Sequence, residues 1–432
     1  MNRNIILFGI VALLYLLTGY FQSWNLSLTI LNTALIATIA ALGVNMQWGY
    51  AGLFSTGVMG FTALGGLAVV LVSAKPNAEN WGAGGPAILM GLLIGAASIA
   101  LAIFTYNRLK PGRNRNLIVA AILIGGFFLF RAIYDPAVVA VEAVNPQFAG
   151  NIGGLGLPSL LAWPVGGLLA AIAAWAIGKT ALGLRSDYLA IATLGIAEIV
   201  IAFIRNEDWL ARGVKNLIDL PRPWPVPYEV NMQKDPGFID FVANYGLDPA
   251  NASTIFVKLL YAGMFGIVLL IVIWLSERAL NSPWGRMMRA IRDNEVAAEA
   301  MGKDVTRRHL QVFILGSAVI GFAGAMMTSM DGQLTPGTYN PLRFTFLIWV
   351  MVIVGGSGNN WGTVLGGLLI GWLWLVVEFL GPNLMGILTS GLTEGPLKAH
   401  LIDSAQHMRL LTLGVILLLV LRFSPRGLIP EK

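Results

Sequence analysis

Long apolar runs alternate with short polar segments from one end of the chain to the other. Each run is continuously apolar, whereas the strands of a membrane barrel would alternate over about ten residues. A helix needs about 20 apolar residues to cross a bilayer. The pattern predicts an all-α fold, a polytopic transmembrane helical bundle of about 10–12 spans in a single domain over residues 1–432. This prediction rests on twelve apolar runs, near 5–20, 28–48, 53–73, 86–106, 117–134, 159–177, 188–204, 256–275, 310–330, 344–356, 361–380 and 409–422. The runs near 188–204 and 344–356 are short, and we expect them to be tilted, broken or re-entrant.

Composition agrees with a membrane protein and removes several kinds of chemistry. Of the 432 residues, 56% are hydrophobic and 12% are charged, and the mean hydropathy is +0.73, whereas a soluble protein carries about 25% charged residues. The chain has no cysteine, which excludes disulfides and thiolate metal sites. The three histidines, His309, His400 and His407, show no metal-ligand spacing. We therefore predict that this chain binds no metal and no cofactor of its own.

Basic residues concentrate in three short segments, 107–116, 276–309 and the tail from residue 422. If twelve runs each cross the membrane once, these segments share one side with Arg3. Short loops rich in Lys and Arg stay in the cytoplasm. Both termini are therefore predicted to be cytoplasmic, in a multi-pass protein of the bacterial inner membrane. This sidedness explains the net charge of +6, so membrane lipid is an expected partner and nucleic acid is not.

The longest polar stretch, 205–253, then lies on the periplasmic side. It is rich in acids and in proline. Proline fixes the backbone and removes a hydrogen-bond donor, so we expect a stiff loop rather than a helix. Long loops of this kind often carry function. A second outer loop is predicted near 381–408.

Few polar side chains lie within the apolar runs, and three of them are candidates for function. An ionisable group at membrane depth is costly and is by default a functional hypothesis. Glu198 is such a group: it either contacts a substrate ammonium or carries a proton, or it pairs with a helix end near the outer boundary. Asn45 and Gln47 either bond between helices or line a pathway.

Nothing in the sequence indicates catalysis. Gly178-Lys179-Thr180 ends like a phosphate-binding loop, but Ala173 replaces the first glycine and an apolar helix precedes Lys179. A lysine that extends its amine to the membrane surface explains this better. The glycine-rich stretch 355–362 is expected to form a tight turn between two helices. No catalytic constellation is visible, so the chain is predicted not to be an enzyme, and any ATP must act through a partner.

The most informative polar segment is 276–309. Five residues predict one apolar face of a helix opposite a face of mixed charge, and Gly302 is expected to end that helix; the five are Met287, Ile291, Ala298, Met301 and Val305. Such a helix either lies on the lipid surface or docks a partner protein in the cytoplasm. The acids among the basic residues favour docking.

This segment resembles the cytoplasmic loop of permease subunits from ATP-binding-cassette (ABC) importers of branched-chain and other hydrophobic amino acids. The likeness lies in Ser-Pro-Trp-Gly-Arg at 282–286, Arg-Ala-Ile-Arg-Asp-Asn-Glu at 289–295 and Ala-Ala-Glu-Ala-Met-Gly at 297–302. It continues at 185–195, 355–358 and 423–428, and from Leu42 to Leu53. It covers most of the chain from about residue 40 but is poor over 75–160. The Ser-Leu-Gly-His that the family usually has next is absent from 54–59.

The resemblance implies a single permease domain that translocates amino acids, energised by partner ATPases. The implied partners are a second permease subunit, two ATP-binding-cassette ATPase subunits that hold ATP and Mg, and a periplasmic substrate-binding protein. The implied ATPase-coupling residues are Arg289, Asp293, Glu295, Ala297, Ala298, Glu299 and Gly302. The substrate-pathway candidates are Asn45, Gln47, Thr193 and Glu198, with the route between the two permeases. Two alternatives stay open, namely a urea or short-amide cargo and an ion-coupled secondary transporter.

Overall fold

Helices dominate the computed structural model, which describes residues 2–145, 150–183, 186–391 and 395–431. About 81% of the chain is helical, and the described residues contain no strand. This confirms the predicted all-α bundle. The helices are α1 (Asn2–Phe21), α2 (Trp24–Ala51), α3 (Val58–Ser73), α4 (Ala78–Arg108), α5 (Arg113–Val144), α6 (Ser159–Ala181), α7 (Ser186–Asn206), α8 (Asp208–Ala211), α9 (Glu229–Met232), α10 (Pro236–Ala243), α11 (Pro249–Asn281), α12 (Pro283–Asp293), α13 (Glu295–Ala300), α14 (Val305–Asp331), α15 (Pro341–Gly355), α16 (Asn360–Leu388), α17 (Pro396–Asp403) and α18 (Met408–Phe423).

Nine helices in the described part of the chain are long and apolar enough to cross a membrane, and a tenth span results if the bent pair α17–α18 counts as one. Two of the twelve apolar runs form shorter helices instead. The helix α3 has 16 residues and α15 has 15, which at 1.5 Å per residue is about 24 Å and 22 Å, less than the ~30 Å hydrocarbon core. The short run near 344–356 thus forms a short helix, whereas the run near 188–204 forms the full-length α7.

Capping side chains fix where the long helices begin. Ser23 accepts a hydrogen bond from a backbone N–H of α2, Asp248 does so for α11, Asp304 for α14 and Asn359 for α16. These acceptors satisfy N–H groups that have no partner within the helix. At the centre of the bundle α14 packs against α2, α3 and α6, while α2 also packs against α11 and α16.

The backbone just before α3, residues 52–57, is neither helix nor strand, although it lies inside the bundle. Irregular backbone at membrane depth needs partners from the protein itself. The carbonyl of Ser55 accepts from the indole of Trp349 at 3.2 Å, and that of Thr56 accepts from the hydroxyl of Thr345 at 3.4 Å. The helix α15 therefore holds this segment in place. Residues 332–340, which precede α15, enter from the opposite end, where Leu334 pairs with Leu217.

Both chain ends lie at one end of the bundle, called here the coupling end. The Arg3 guanidinium donates to the carbonyl of Leu428 at 2.6 Å, and Arg292 donates to Glu431 at 2.8 Å. The turn between α4 and α5 lies at this end too, because α4 begins beside Asn151 at the other end and runs for 31 residues. The basic segments therefore lie together, as predicted. That the coupling end faces the cytoplasm stays a prediction from the positive charges.

The polar stretch 205–253 is more helical than predicted. It contains α8, α9 and α10, while the prolines at 221, 223, 225 and 227 lie between α8 and α9 in non-helical backbone. Pro236 is at the start of α10, behind the capping carboxylate of Asp235, a position in which the missing N–H costs nothing. The second outer loop is also shorter than predicted, since α16 continues through Pro382 to Leu388.

Candidate coupling surface and transport route

The coupling segment, residues 282–302, forms two helices rather than one. Ser282 caps α12, and Asn294 ends it and caps α13 by accepting from the backbone N–H of Ala297 at 2.9 Å. The predicted single apolar face is therefore wrong. Met288 and Ile291 form the buried face of α12, whereas Met301 is 79% exposed. Gly302 follows α13 with a φ of +75°, in the left-handed region that suits the predicted helix end.

Arg292 ties the coupling segment to the rest of the bundle. Its guanidinium donates to the carbonyl of Gly49 at 2.5 Å, to Glu431 at 2.8 Å and to Asp293 at 3.1 Å. Burial opposes the charged form of Arg292, but the bonds to the two carboxylates outweigh it and raise its pKa. The end of α2, the helix α12 and the tail of the chain thus meet at one permanent cation.

The helix α13 projects from the coupling end with most of its surface exposed. Five of the predicted coupling residues lie on it or directly after it. Glu295, Ala297, Glu299 and Gly302 are exposed, and only Ala298 is half-buried. Beside the acids stand two exposed apolar side chains, Val296 at 76% and Met301 at 79%. A polar surface with apolar side chains at its tip is typical of a docking element.

The other two predicted coupling residues belong to α12. Arg289 is half-buried and donates to the carbonyl of Leu280 at 3.5 Å, and Asp293 is exposed beside Arg292. With Arg286 they line an open groove beside the tail. The structure therefore gathers all seven residues at one end of the molecule, with a basic groove next to an acidic, apolar tip.

Two of the pathway candidates, Asn45 and Gln47, are buried near the coupling end. The Asn45 amide donates to Asn360 at 3.2 Å, and its oxygen accepts from the backbone N–H of Gly358 at 2.9 Å. The Gln47 amide donates to the carbonyl of Phe313 and to Ser317. Both therefore bond between helices, which is one of the two interpretations given above.

Thr193 bonds to the interrupted backbone before α3. Its hydroxyl accepts from the N–H of Thr56 at 3.1 Å and donates to the carbonyl of Ala190 at 3.0 Å. Thr56 in turn donates its hydroxyl to Ala190. Thr193, which is 2% exposed, thus joins α7 to the non-helical segment before α3.

Glu198 is the one pathway candidate that is exposed. It lies eight residues before the end of α7, about 12 Å along the helix axis, so it is within the span. Around it the exposed face of α7 is apolar, with Ile191 at 69%, Ile199 at 68% and Phe203 at 45%. No described residue forms a hydrogen bond or ion pair with Glu198. A carboxylate on a lipid-facing surface is costly, so this face, called here the α7 face, is expected to be covered or to border water.

A cavity of about 360 Å³ lies among α2, α3, α14, α15, α16 and α18. Its depth is apolar, and its charged side chains, Asp331, Glu378 and Arg409, come from the helix regions nearer the end opposite the coupling end. Arg409 forms an ion pair with Glu378 at 2.6 Å. Reasoning from the sequence missed this cavity, because six helices distant in the sequence form it.

Sequence reasoning also missed Arg292, Glu431, Glu277 and Asn360. The Asn360 amide donates to Glu277 at 3.0 Å and so extends the bonds of Asn45 to α11. Arg292 lies within the matching stretch 289–295 and Asn360 within the glycine-rich stretch 355–362, but neither stretch indicates these bonds. Glu431, in the C-terminal tail, gains a structural role because the fold brings it to Arg292, with which it forms an ion pair.

The fold and these surfaces define a multi-pass membrane permease. The chain belongs to the family of permease components of branched-chain amino acid transport systems, whose family model matches residues 137–421, about two thirds of the chain. Together with its relatives, this makes the chain a membrane subunit of an ABC importer for branched-chain amino acids. In bacteria such a protein lies in the inner membrane.

Relatives match along most of the chain. The high-affinity branched-chain amino acid transport system permease protein LivM of Escherichia coli is 26% identical over 343 residues, which are 78% of this chain and 70% of that protein. The probable branched-chain amino acid transport permease protein LivM of Methanocaldococcus jannaschii is 26% identical over 398 residues, 91% of this chain and 90% of that protein. The fructose import permease protein FrcC of Rhizobium meliloti is 27% identical over 125 residues only, 28% of this chain and 33% of that protein. No solved structure matches the chain.

Proposed function

We propose that this permease carries leucine, isoleucine and valine inward between itself and a second permease subunit. Two ATPase subunits hold ATP and Mg, and a periplasmic binding protein delivers the amino acid. The chain itself catalyses no reaction. The observation that carries the coupling part of this proposal is the exposed α13, which presents two acids and two apolar side chains at the same end as the basic residues.

Charge reversal on α13 tests the coupling. We expect Glu295→Lys with Glu299→Lys to lower both ATPase co-purification and ATP-driven leucine uptake into vesicles about tenfold or more, because truncated or reversed charge pairs at an interface are costly. The fold should survive, since both side chains are exposed. Glu79→Lys, an exposed acid on α4 far from the coupling end, is the matched control. Normal ATPase association and uptake in the double variant would sink the coupling role of α13.

The α7 face supports a route between two permeases. A single carboxylate, Glu198, stands in an apolar, exposed helix face at membrane depth, and the small residue Gly195 has no atom within 4 Å of the position of an added side chain. A second helix can approach closely at such a residue. The face is therefore suited to a partner subunit, with Glu198 bordering the route and meeting the ammonium group of the cargo.

We expect Glu198→Gln to reduce uptake several-fold while the assembly stays intact, because the amide keeps the shape but loses the attraction for an ammonium group. Unchanged uptake kinetics would reject this role. Cysteine cross-linking tests whether the α7 face contacts the second permease. The chain has no cysteine, so any cross-link must come from the introduced residue. Ile199→Cys should cross-link to a cysteine-substituted second permease, and Phe128→Cys on α5 should not.

One reconstitution experiment tests both the identity of the cargo and the source of energy. Uptake of leucine that requires ATP, the ATPases and the binding protein supports the proposal. Uptake by this chain alone, driven by a proton or sodium gradient, would favour a secondary transporter instead. ATP-driven uptake of urea or short amides but not of leucine would keep the importer and change the cargo.

A further inference from the structure

The cavity that opens toward the end opposite the coupling end combines two chemical environments. Its depth is lined by Met59 from α3, Leu347 and Ile348 from α15, and Trp374 from α16, all buried. Its volume of about 360 Å³ falls within the range of small-molecule sites. These walls offer an apolar side chain the burial that drives binding.

The charges of the cavity are unevenly paired. Arg409 and Glu378 form an ion pair, with the Arg409 side chain at 16% exposure and stacked on Trp374, its guanidinium carbon 4.9 Å from the ring centroid. A guanidinium has five N–H donors, so the bond to Glu378 leaves others for a second carboxylate. Asp331, the last residue of α14, forms no hydrogen bond or ion pair with any described residue.

A ligand that matches the apolar walls, Arg409 and Asp331 needs an apolar body, a carboxylate and an ammonium group. We propose that this cavity binds one free amino acid with an apolar side chain inside the single permease subunit. Its carboxylate pairs with Arg409, its ammonium pairs with Asp331, and its side chain lies among Met59, Leu347 and Ile348. The choice of ligand rests on the proposed function. The site is distinct from the α7 face, since none of the residues that line it belongs to α7.

The charge balance favours a zwitterion over other occupants. A fatty acyl chain suits the walls but leaves Asp331 unpaired, and an inorganic anion suits Arg409 but is repelled by Asp331 and Glu378. Asp331 is exposed, and an acyl chain packed over it would take its charge out of water without supplying a partner, which is costly. An amino acid pairs its ammonium with Asp331 and its carboxylate with Arg409, which is the arrangement that leaves each charge with an opposite neighbour.

Equilibrium binding of radiolabelled L-leucine to the purified permease complex, without nucleotide and without binding protein, tests this site. We expect saturable binding, with leucinamide and 4-methylpentanoate each at least about tenfold weaker, because each lacks one charged group. Arg409→Gln should weaken leucine binding by a similar factor. Arg422→Gln, on the same helix but outside the cavity, should leave leucine binding unchanged.

Three results would overturn the inference. They are the absence of leucine binding in the unaltered complex, equal binding of 4-methylpentanoate, which marks an apolar site only, and equal loss in Arg409→Gln and Arg422→Gln. The two ligand analogues keep the test decisive even if Arg409→Gln fails to fold. The proposed function fails in a different way. Leucine binding without ATP-driven uptake would refute the importer function but support the cavity site. ATP-driven uptake without leucine binding would support the importer function but refute the cavity site.

Discussion

The central helix α14 and the hairpin α4–α5 were both recognised by the same apolar pattern, yet they occupy opposite environments. In the apolar windows of α4 and α5, 17% and 6% of the residues are buried within the chain, against 56% in α14 and 78% in α2. The hairpin helices pack mainly on each other. Their outer surfaces carry large apolar side chains such as Leu93 at 70% and Phe128 at 66% exposure.

The difference lies in small and polar residues rather than in hydrophobicity. Lipid tails are as apolar as leucine, so helices associate in a membrane through close packing and hydrogen bonds. The helix α14 has both: Gly321 and Gly324 face the backbone of α6 and α3, and Ser317 bonds to Gln47. The hairpin uses its apolar surface to meet lipid and is joined to the bundle by a few polar contacts at one end.

The hairpin also falls mostly outside the family model, which begins at residue 137 near the end of α5. The poor likeness over 75–160 thus coincides with α4 and α5. The aligned region of the Methanocaldococcus jannaschii relative covers 91% of this chain, which is too long to leave out α4–α5. What separates the hairpin from the bundle is therefore its small number of contacts with the other helices.

Replacing glycines tests this contrast most severely. A methyl group at Gly65 would overlap the backbone oxygen of Gly321, and the backbone N of Ala325 would lie 2.8 Å from it. We expect Gly65→Ala to lower the free energy of unfolding of the permease by about 1–3 kcal/mol or more. The clashing atoms of Gly321 and Ala325 belong to the backbone, so no side-chain rotation can relieve the overlap. Thermal unfolding in detergent measures it.

The matched control is Gly125→Ala in α5, where nothing lies within 4 Å of the added methyl. It should leave the melting temperature unchanged or raise it slightly, since alanine is the better helix former by about 1 kcal/mol. Equal losses in the two variants would show that the hairpin belongs to the core after all.

The sequence predicted the bundle and the grouping of its basic segments. Continuous apolarity and charge sidedness are local signals, and each needs only one stretch of chain. The break at Asn294 was missed, although an Asn that precedes Glu295 and accepts from Ala297 N–H is a capping signal in retrospect. The apolar period alone made the two helices look like one.

Features that depend on contacts between residues distant in the sequence could not be predicted from local patterns. The run near 53–73 reads as one span, yet its first part is not helical, and Trp349 and Thr345 bond to its carbonyls. Nothing near Ser55 announces a partner almost 300 positions away. The same holds for the cavity around Arg409 and for the hydrogen bond between Thr193 and Thr56.

Removing one interhelical hydrogen-bonding side chain should have an intermediate effect. Gln47→Leu deletes the bonds to Phe313 and Ser317, at 3.1 and 3.0 Å, and we expect a loss of about 0.6–1.7 kcal/mol for each bond. Thermal unfolding of the purified protein reports it. Ser98→Ala in the hairpin is the control, since among the described residues Ser98 bonds within its own helix, to the carbonyl of Ile94. A larger loss in the control than in Gln47→Leu would contradict the contrast.

The smallest effect is expected at the base of the hairpin. The Tyr134 hydroxyl donates to Glu207 at 2.7 Å and accepts from the indole of Trp209 at 2.7 Å. We expect Tyr134→Phe to lower the local stability of the base of the hairpin by about 0.5–1.5 kcal/mol and to speed hydrogen exchange at the end of α5. The melting temperature should stay the same, because the core does not depend on the hairpin. Tyr106→Phe at the far tip should change neither, since its contact with Arg115, 4.0 Å from the ring centroid, does not use the hydroxyl. A fall in melting temperature with Tyr134→Phe would mean that the hairpin supports the bundle, and the contrast between the two regions would then fail.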